Sequence, residues 1–131
     1  IGYAISNPEI IKRIIQIKQP YNINSAAEHV AIKAMNHKNK LFKKVNILME
    51  QKDKIYKFLL KKSEIKVYPS KANFVLCDLK DLSADEIYEG LAKKGIFVRK
   101  FSNNFLSNAL RISAGTPEQT RKLLQELEKL I

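Results

Sequence analysis

Residues 95–119 constrain the fold of this chain more than any other stretch, because two short strand patterns and a helix start follow one another there. Residues 96–101 and 109–113 are mostly apolar runs that each contain a single arginine. Thr116 and Pro117 then mark a helix start, since threonine is a preferred N-cap and proline is tolerated at the first helical position. We therefore predict two strands followed by a final helix.

The arginines of these two strands, Arg99 and Arg111, are the candidate binding residues of the chain. Side chains alternate between the faces of a strand, so Arg111 points away from the core that Leu110 and Ile112 enter. Arginine is the rarer cation here, with four of the 24 basic residues. Its planar fork binds a carboxylate or a phosphate through two parallel hydrogen bonds, which lysine cannot do. The alternative is an arginine on a solvated sheet face, paired with Asp or Glu.

The first half of the chain has the pattern of three helices. Asn7 and Pro8 supply a cap and a first-turn proline. Ser25, with an acid three residues later, predicts a second helix that begins with a capping box. Residues 38–62 carry apolar side chains at intervals of three and four, which predicts a long amphipathic helix whose lysines face water. Residues 1–5 have the pattern of an apolar strand.

The second half of the chain alternates strands and helices. Residues 65–67 predict a short strand, and residues 73–79 predict a strand that is apolar on both faces and therefore central. Ser83 begins a helix that ends at Gly95, a natural C-cap. A polar turn over residues 102–104 joins the two arginine strands. This order predicts an α+β domain of two layers, with the helices covering one face of the sheet.

The net charge of +11 raises the question of a nucleic-acid partner. Residues 1–62 hold 13 basic and 4 acidic side chains, whereas residues 63–131 hold 11 and 9. The excess therefore lies on the long lysine-rich helix. This helix has no interleaved exposed aromatic residues, no glycine-rich loop and almost no arginine, so we interpret its lysines as a solvated face and expect no nucleic-acid partner.

Cysteine, histidine and hydropathy patterns exclude several other classes. Cys77 is the single cysteine, so no internal disulfide forms and the cytoplasm is the simplest compartment. His29 and His37 have no further ligand at a suitable spacing, so we expect no metal site. The apolar runs are far shorter than the ~18 residues of a membrane-spanning helix, so we expect no membrane association.

Four runs of the chain resemble one enzyme family. They are LRISAGTPEQ, GIFVR, PSKANFVL and the first 24 residues, IGYAISNPEIIKRIIQIKQPYNIN. In order and spacing they resemble landmarks of the histidinol-phosphate aminotransferases, which belong to the class I and II pyridoxal-phosphate (PLP) aminotransferases. The resemblance covers essentially the whole chain.

The resemblance implies the small domain of a fold-type I PLP enzyme, with about four short strands, helices packed on one face and long connecting helices ahead of them. Residues 1–24 are then the end of the large PLP-binding domain and a linker, residues 25–62 are interdomain helices, and residues 63–131 form the C-terminal small domain. The chain begins at Ile1 without a methionine. We therefore expect a C-terminal segment whose catalytic lysine and PLP contacts lie upstream, and which is inactive alone.

The resemblance also implies a function, the transfer of an amino group between histidinol phosphate and 2-oxoglutarate, with glutamate as the matching amino donor, in histidine biosynthesis. In such a homodimeric enzyme PLP serves as the electron sink. Arg111 matches the family's arginine for the substrate anion, and Arg99 matches a second arginine that binds the substrate phosphate. Asn73, Tyr21 and Asn22 are secondary candidates, because the resemblance places them near the substrate cleft; their simplest roles are local backbone bonding and loop packing.

Other functions remain open. A PLP-dependent threonine-phosphate decarboxylase has the same scaffold and also binds a phosphorylated amino compound, and another class I or II aminotransferase is equally compatible. A different class is a non-catalytic module that binds a small anion or serves dimerisation. No catalytic residue, cofactor ligand or metal ligand is expected within the segment itself.

Overall fold

The computed structural model describes residues 1–102 and 105–131, and it divides into two compact units, Ile1–Phe42 and Lys43–Ile131. The predicted turn over residues 102–104 lies largely outside the described residues, because it contains Asn103 and Asn104. The elements in chain order are α1 (Pro8–Ile17), α2 (Ser25–Asn36), α3 (Lys38–Leu60), β1 (Lys66–Tyr68), β2 (Phe74–Asp78), α4 (Ala84–Lys93), β3 (Arg99–Lys100), β4 (Ala109–Ser113) and α5 (Pro117–Leu130). The predicted division of the chain at residues 24 and 62 concerns its place in a larger enzyme and stays a prediction.

The first unit consists of α1, α2 and the beginning of α3. Asn7 caps α1 as predicted, since its side chain accepts a hydrogen bond from the amide of Ile10 at 2.9 Å. The cap of α2 is Asn24 rather than the predicted Ser25, because the Asn24 side chain accepts the amide of Ala27 at 2.8 Å. The predicted strand over residues 1–5 is not formed, since no neighbouring strand pairs with it.

The first unit has no apolar core of its own. None of its residues is buried, and large apolar side chains such as Ile5 and Ile17 are 88% and 84% exposed. The apolar side chains of these helices are therefore not covered by the rest of the described chain.

The second unit is a four-stranded antiparallel sheet with helices on one face. The strand order is β1-β2-β4-β3, so β2 and β4 are central, as predicted for residues 73–79. One face of the sheet and the three helices α3, α4 and α5 share a core of buried residues, which include Ile55, Leu59, Val75, Cys77, Ile87, Leu91, Leu110, Ile112, Leu123 and Leu127. The predicted two-layer α+β fold is confirmed.

One expectation for this unit is wrong, and one lysine of α3 departs from the general pattern. The strand predicted over residues 96–101 is limited to Arg99–Lys100, because residues 96–98 do not pair with β4. Lys52 does not face water with the other lysines of α3, since it is only 8% exposed. Its Nζ donates to the carbonyl of Ser70 at 3.0 Å and lies 2.6 Å from a carboxylate oxygen of Asp53.

Replacing Gly95 tests why α4 ends at this position. Gly95 follows α4 with a φ of +72°, and a Cβ added there meets no atom within 4 Å, so the penalty is purely conformational. Gly95→Ala should lower the free energy of unfolding by about 1 kcal/mol in urea titrations. Gly2→Ala is the control, because its Cβ also meets open space without a positive φ. Equal stability of the two variants would contradict this explanation.

Cys77 should react only when the second unit unfolds. Burial raises the pKa of its thiol from the usual 9.0 to about 12, and a hydrogen bond with the backbone of Leu110 opposes this only in part. The folded protein therefore holds the thiol proton between these pH values, so this contribution to stability is complete below pH 9 and is lost as the pH rises towards 12. At pH 8, labelling by an aromatic disulfide reagent should follow the unfolded fraction in urea. Rapid labelling of protein that is folded by circular dichroism would disprove the assignment.

Candidate functional site

The register of the sheet brings Arg99 and Arg111 side by side. They are direct partners in the antiparallel pair of β3 and β4. Direct partners point to the same face, with Cβ atoms about 5 Å apart. Both side chains are exposed, whereas the alternate residues Leu110 and Ile112 are 0% and 1% exposed on the helix-covered face. The two guanidinium groups therefore share the open face of the sheet.

Each arginine is supported by a phenylalanine ring. The guanidinium carbon of Arg111 lies 5.2 Å from the ring centre of Phe74, and that of Arg99 lies 5.9 Å from the ring centre of Phe101. Cation–π contacts of this kind restrict the guanidinium without using its hydrogen-bond donors. The donors of both arginines remain available for an external anion.

Neither arginine has a carboxylate partner among the described residues. The ion pairs in that part of the chain are all formed by lysines, namely Lys52, Lys62, Lys100 and Lys129. Two like charges directly opposite each other on neighbouring strands destabilise a sheet. A bound anion would relieve this repulsion, so the arrangement has the electrostatics of an anion site.

Asn73 lies in the same unit, directly before β2. Its backbone carbonyl accepts the amide of Ala114 at 2.8 Å, which extends the β2–β4 ladder by one step, and its side chain is exposed. Asn73 immediately precedes Phe74, whose ring supports Arg111. The structure thus brings Arg99 and Arg111 together on the open face of the sheet, whereas Asn73 lies just before β2, at a position that alternates with Phe74.

Tyr21 and Asn22 belong to the first unit. Tyr21 is 97% exposed with a φ of 60°, a conformation that is uncommon for a bulky residue. The Asn22 side chain accepts a hydrogen bond from Lys18 Nζ at 3.2 Å. Their proposed place near a substrate cleft stays a prediction.

The supporting residues Phe74 and Phe101 were not singled out from the sequence. Phe101 stands two positions after Arg99, and residues at that spacing share a face of an extended chain, so a local signal for this contact existed. The contact between Phe74 and Arg111 depends on the pairing of β2 with β4, which no local pattern reveals.

The arginines lie on an open surface rather than in a closed pocket. A cavity of about 450 Å³ does lie in the second unit, between residues 95–98, the end of β4 and the start of α5, but neither arginine lines it. Among the described residues no cluster of three or more His, Cys, Asp or Glu could hold a metal ion. The same part of the chain contains no helix long and apolar enough to cross a membrane.

The described residues do not by themselves fit PLP. A PLP enzyme requires a lysine whose amine can bond to the cofactor in a protected site. Lys52 is the buried lysine of the described chain, and its Nζ is already engaged by Ser70 and Asp53. We therefore assign no catalytic step on PLP to residues of this chain.

The comparisons with known proteins agree with this fold. The family model described as aminotransferase class I and II matches residues 1–127. A curated histidinol-phosphate aminotransferase of Thermoanaerobacter pseudethanolicus is 40% identical over 132 residues, which are 100% of this chain and 37% of the relative. The chain thus spans little more than a third of the length of that protein.

Solved structures give the same result. The histidinol-phosphate aminotransferase from Clostridium acetobutylicum superposes with a TM-score of 0.74 at 28% identity, covering 94% of this chain and 38% of that one. The enzyme of the same name from Sinorhizobium meliloti, solved in complex with pyridoxal-5'-phosphate, shares the fold with a TM-score of 0.75 at 22% identity, covering 96% and 35%. The chain therefore belongs to the class I and II aminotransferase family.

Proposed function

We propose that this chain is the C-terminal part of a PLP-dependent aminotransferase that moves an amino group between histidinol phosphate and 2-oxoglutarate. The observation that carries the proposal is the register pairing of two exposed arginines, Arg99 and Arg111, without a carboxylate partner among the described residues. Family membership and the 40% identical relative support the reaction class. PLP would serve as the electron sink, and residues outside this segment would bind it.

The two substrates explain why two arginines are useful. Histidinol phosphate carries a phosphate dianion, and 2-oxoglutarate carries carboxylates, so one site has to bind both kinds of anion. A single guanidinium fork matches either group through two parallel hydrogen bonds. A second guanidinium on the same face of the neighbouring strand adds donors that suit the more highly charged phosphate.

The positions of the arginines suggest how they divide this work. Arg111 is on a central strand, with Leu76 opposite it on β2 and Arg99 opposite it on β3. Arg99 is on an edge strand of two residues. We propose that Arg111 binds the anion of both substrates and that Arg99 adds contacts to the phosphate. The homodimer that the resemblance implies and the cytoplasmic location expected from the single cysteine belong to the same proposal.

Anion binding can be tested on the 131-residue chain. Inorganic phosphate should shift the side-chain NMR signals of Arg99 and Arg111, and Arg111→Lys should weaken its binding about tenfold through loss of the bidentate contact. Arg99→Lys should weaken phosphate binding but leave glutamate binding nearly unchanged. Arg121→Lys, an exposed arginine on α5, is the matched control. Equal phosphate affinity of all three variants and the unchanged chain would refute the anion site.

The reaction itself can be tested on the protein that carries this chain, loaded with PLP. For Arg111→Lys, the kcat/KM of amino transfer from histidinol phosphate to 2-oxoglutarate should fall at least 100-fold. The reason is that the transition state loses about two charge-assisted hydrogen bonds. Arg121→Lys again serves as the control. Release of carbon dioxide from threonine phosphate, without amino transfer, would assign the protein to the decarboxylase alternative. Turnover of neither substrate would reject both assignments.

A further inference from the structure

Lys52 interrupts the apolar stripe of α3, where it is only 8% exposed and shares its face of the helix with Ile55 and Leu59. Burial of an ammonium group is costly unless hydrogen bonds and an opposite charge compensate for lost water. Here the compensation comes from the carbonyl of Ser70 at 3.0 Å and from Asp53 at 2.6 Å. The buried charge thus fastens α3 to Ser70.

Ser70 belongs to the turn between β1 and β2, which we call the 69–73 turn. Within it, the Ser70 hydroxyl accepts the amide of Ala72 at 3.1 Å. At its end, the carbonyl of Asn73 accepts the amide of Ala114 at 2.8 Å. The turn is therefore attached to α3 on one side and to the chain after β4 on the other.

The 69–73 turn leads directly into the support of the anion site. Phe74 is the first residue of β2, and its ring lies 5.2 Å from the guanidinium carbon of Arg111. A turn that moves relative to α3 displaces the start of β2 and, with it, the ring on which the guanidinium rests. The orientation of Arg111 therefore depends on the attachment of this turn.

We infer that Lys52 is a positioning residue for the anion site at Arg111, acting through the 69–73 turn and Phe74. This inference rests on the proposed role of Arg111 in binding the substrate anion. Lys52 does not contact the anion; its ammonium group fixes the turn, the turn fixes the ring, and the ring orients the guanidinium. The opposing explanations are a purely structural lysine and a general contribution to positive potential.

The test compares three variants of the 131-residue chain. Lys52→Met keeps the length of the side chain and removes the charge and the hydrogen bonds, and Lys52→Arg keeps a cation that can reach the Ser70 carbonyl. Lys54→Met removes an exposed lysine of the same helix, which controls for the loss of one positive charge. Circular dichroism verifies that each variant is folded.

Two readouts are measured. The first is the chemical shift of the Arg111 Nε–Hε group without any anion, which reports the nearby Phe74 ring. The second is the affinity for inorganic phosphate. We expect Lys52→Met to move the Arg111 signal towards the position of a solvent-exposed arginine and to weaken phosphate binding about tenfold, equivalent to about 1.4 kcal/mol. Lys52→Arg should restore both, and Lys54→Met should leave both unchanged.

The outcomes separate this inference from the proposed function. A folded Lys52→Met protein with an unchanged Arg111 signal and unchanged phosphate affinity would overturn the inference, even if its thermal stability is reduced. If the unchanged chain does not bind phosphate, the proposed function fails, whereas the anion-free Arg111 signal still decides whether Lys52 positions the guanidinium.

A second variant covers the case in which Lys52→Met does not fold. Ser70→Ala removes the hydroxyl that accepts the amide of Ala72, and so it loosens the same turn without touching the core. It should move the Arg111 signal in the same direction as Lys52→Met, by a smaller amount. An unmoved signal together with unchanged phosphate affinity in folded Ser70→Ala would overturn the inference.

Discussion

The pairing of β2 with β4 is the interaction on which the rest of the second unit depends. On the helix-covered face, this ladder aligns Val75 with Ile112 and Cys77 with Leu110, and all four side chains are at most 1% exposed. Complete burial of a valine, leucine or isoleucine side chain contributes about 1.5–3 kcal/mol, so these pairs help to hold the sheet against its helices. On the open face, the same ladder places the Phe74 ring beside the arginine of β4. The pairing of β2 with β4 thus produces both the buried core of the second unit and the candidate site.

The features that could be predicted from the sequence are those set by local chemistry. Asn7, Ser83 and Thr116 cap their helices as expected, because each side chain bonds an amide only three residues away. Gly95 ends α4 with a positive φ for an equally local reason. The prediction failed at α2, where Asn24 stands next to Ser25: adjacent residues of equal capping strength cannot be ranked by pattern, and only the backbone decides between them.

The features that could not be predicted depend on distant partners. Both arginines were found from their residue type and their apolar surroundings, but their direct opposition follows from the pairing of β3 with β4. Lys52 looked like an interruption of an apolar stripe, because the carbonyl that accommodates its charge lies 18 residues further along the chain. The short length of β3 has a similar origin, since a strand extends only as far as its partner pairs with it and residues 96–98 do not pair with β4. Periodicity describes one segment at a time and contains no information about such neighbours.

The two-residue length of β3 has a consequence for how this sheet tolerates change. Arg99 faces the open side, while Lys100 faces the helices and forms an ion pair with Asp85 on α4. The two cations therefore lie on opposite faces of the sheet because they are adjacent in the strand. A shift of the β3 register by one residue would exchange them: the guanidinium of Arg99 would face the helices, and Lys100 would lie beside the arginine of β4. The ion pair between Lys100 and Asp85 favours the register in which Lys100 faces α4. A net gain or loss of one residue between α4 and β3 would therefore change which cation the open face of the sheet displays.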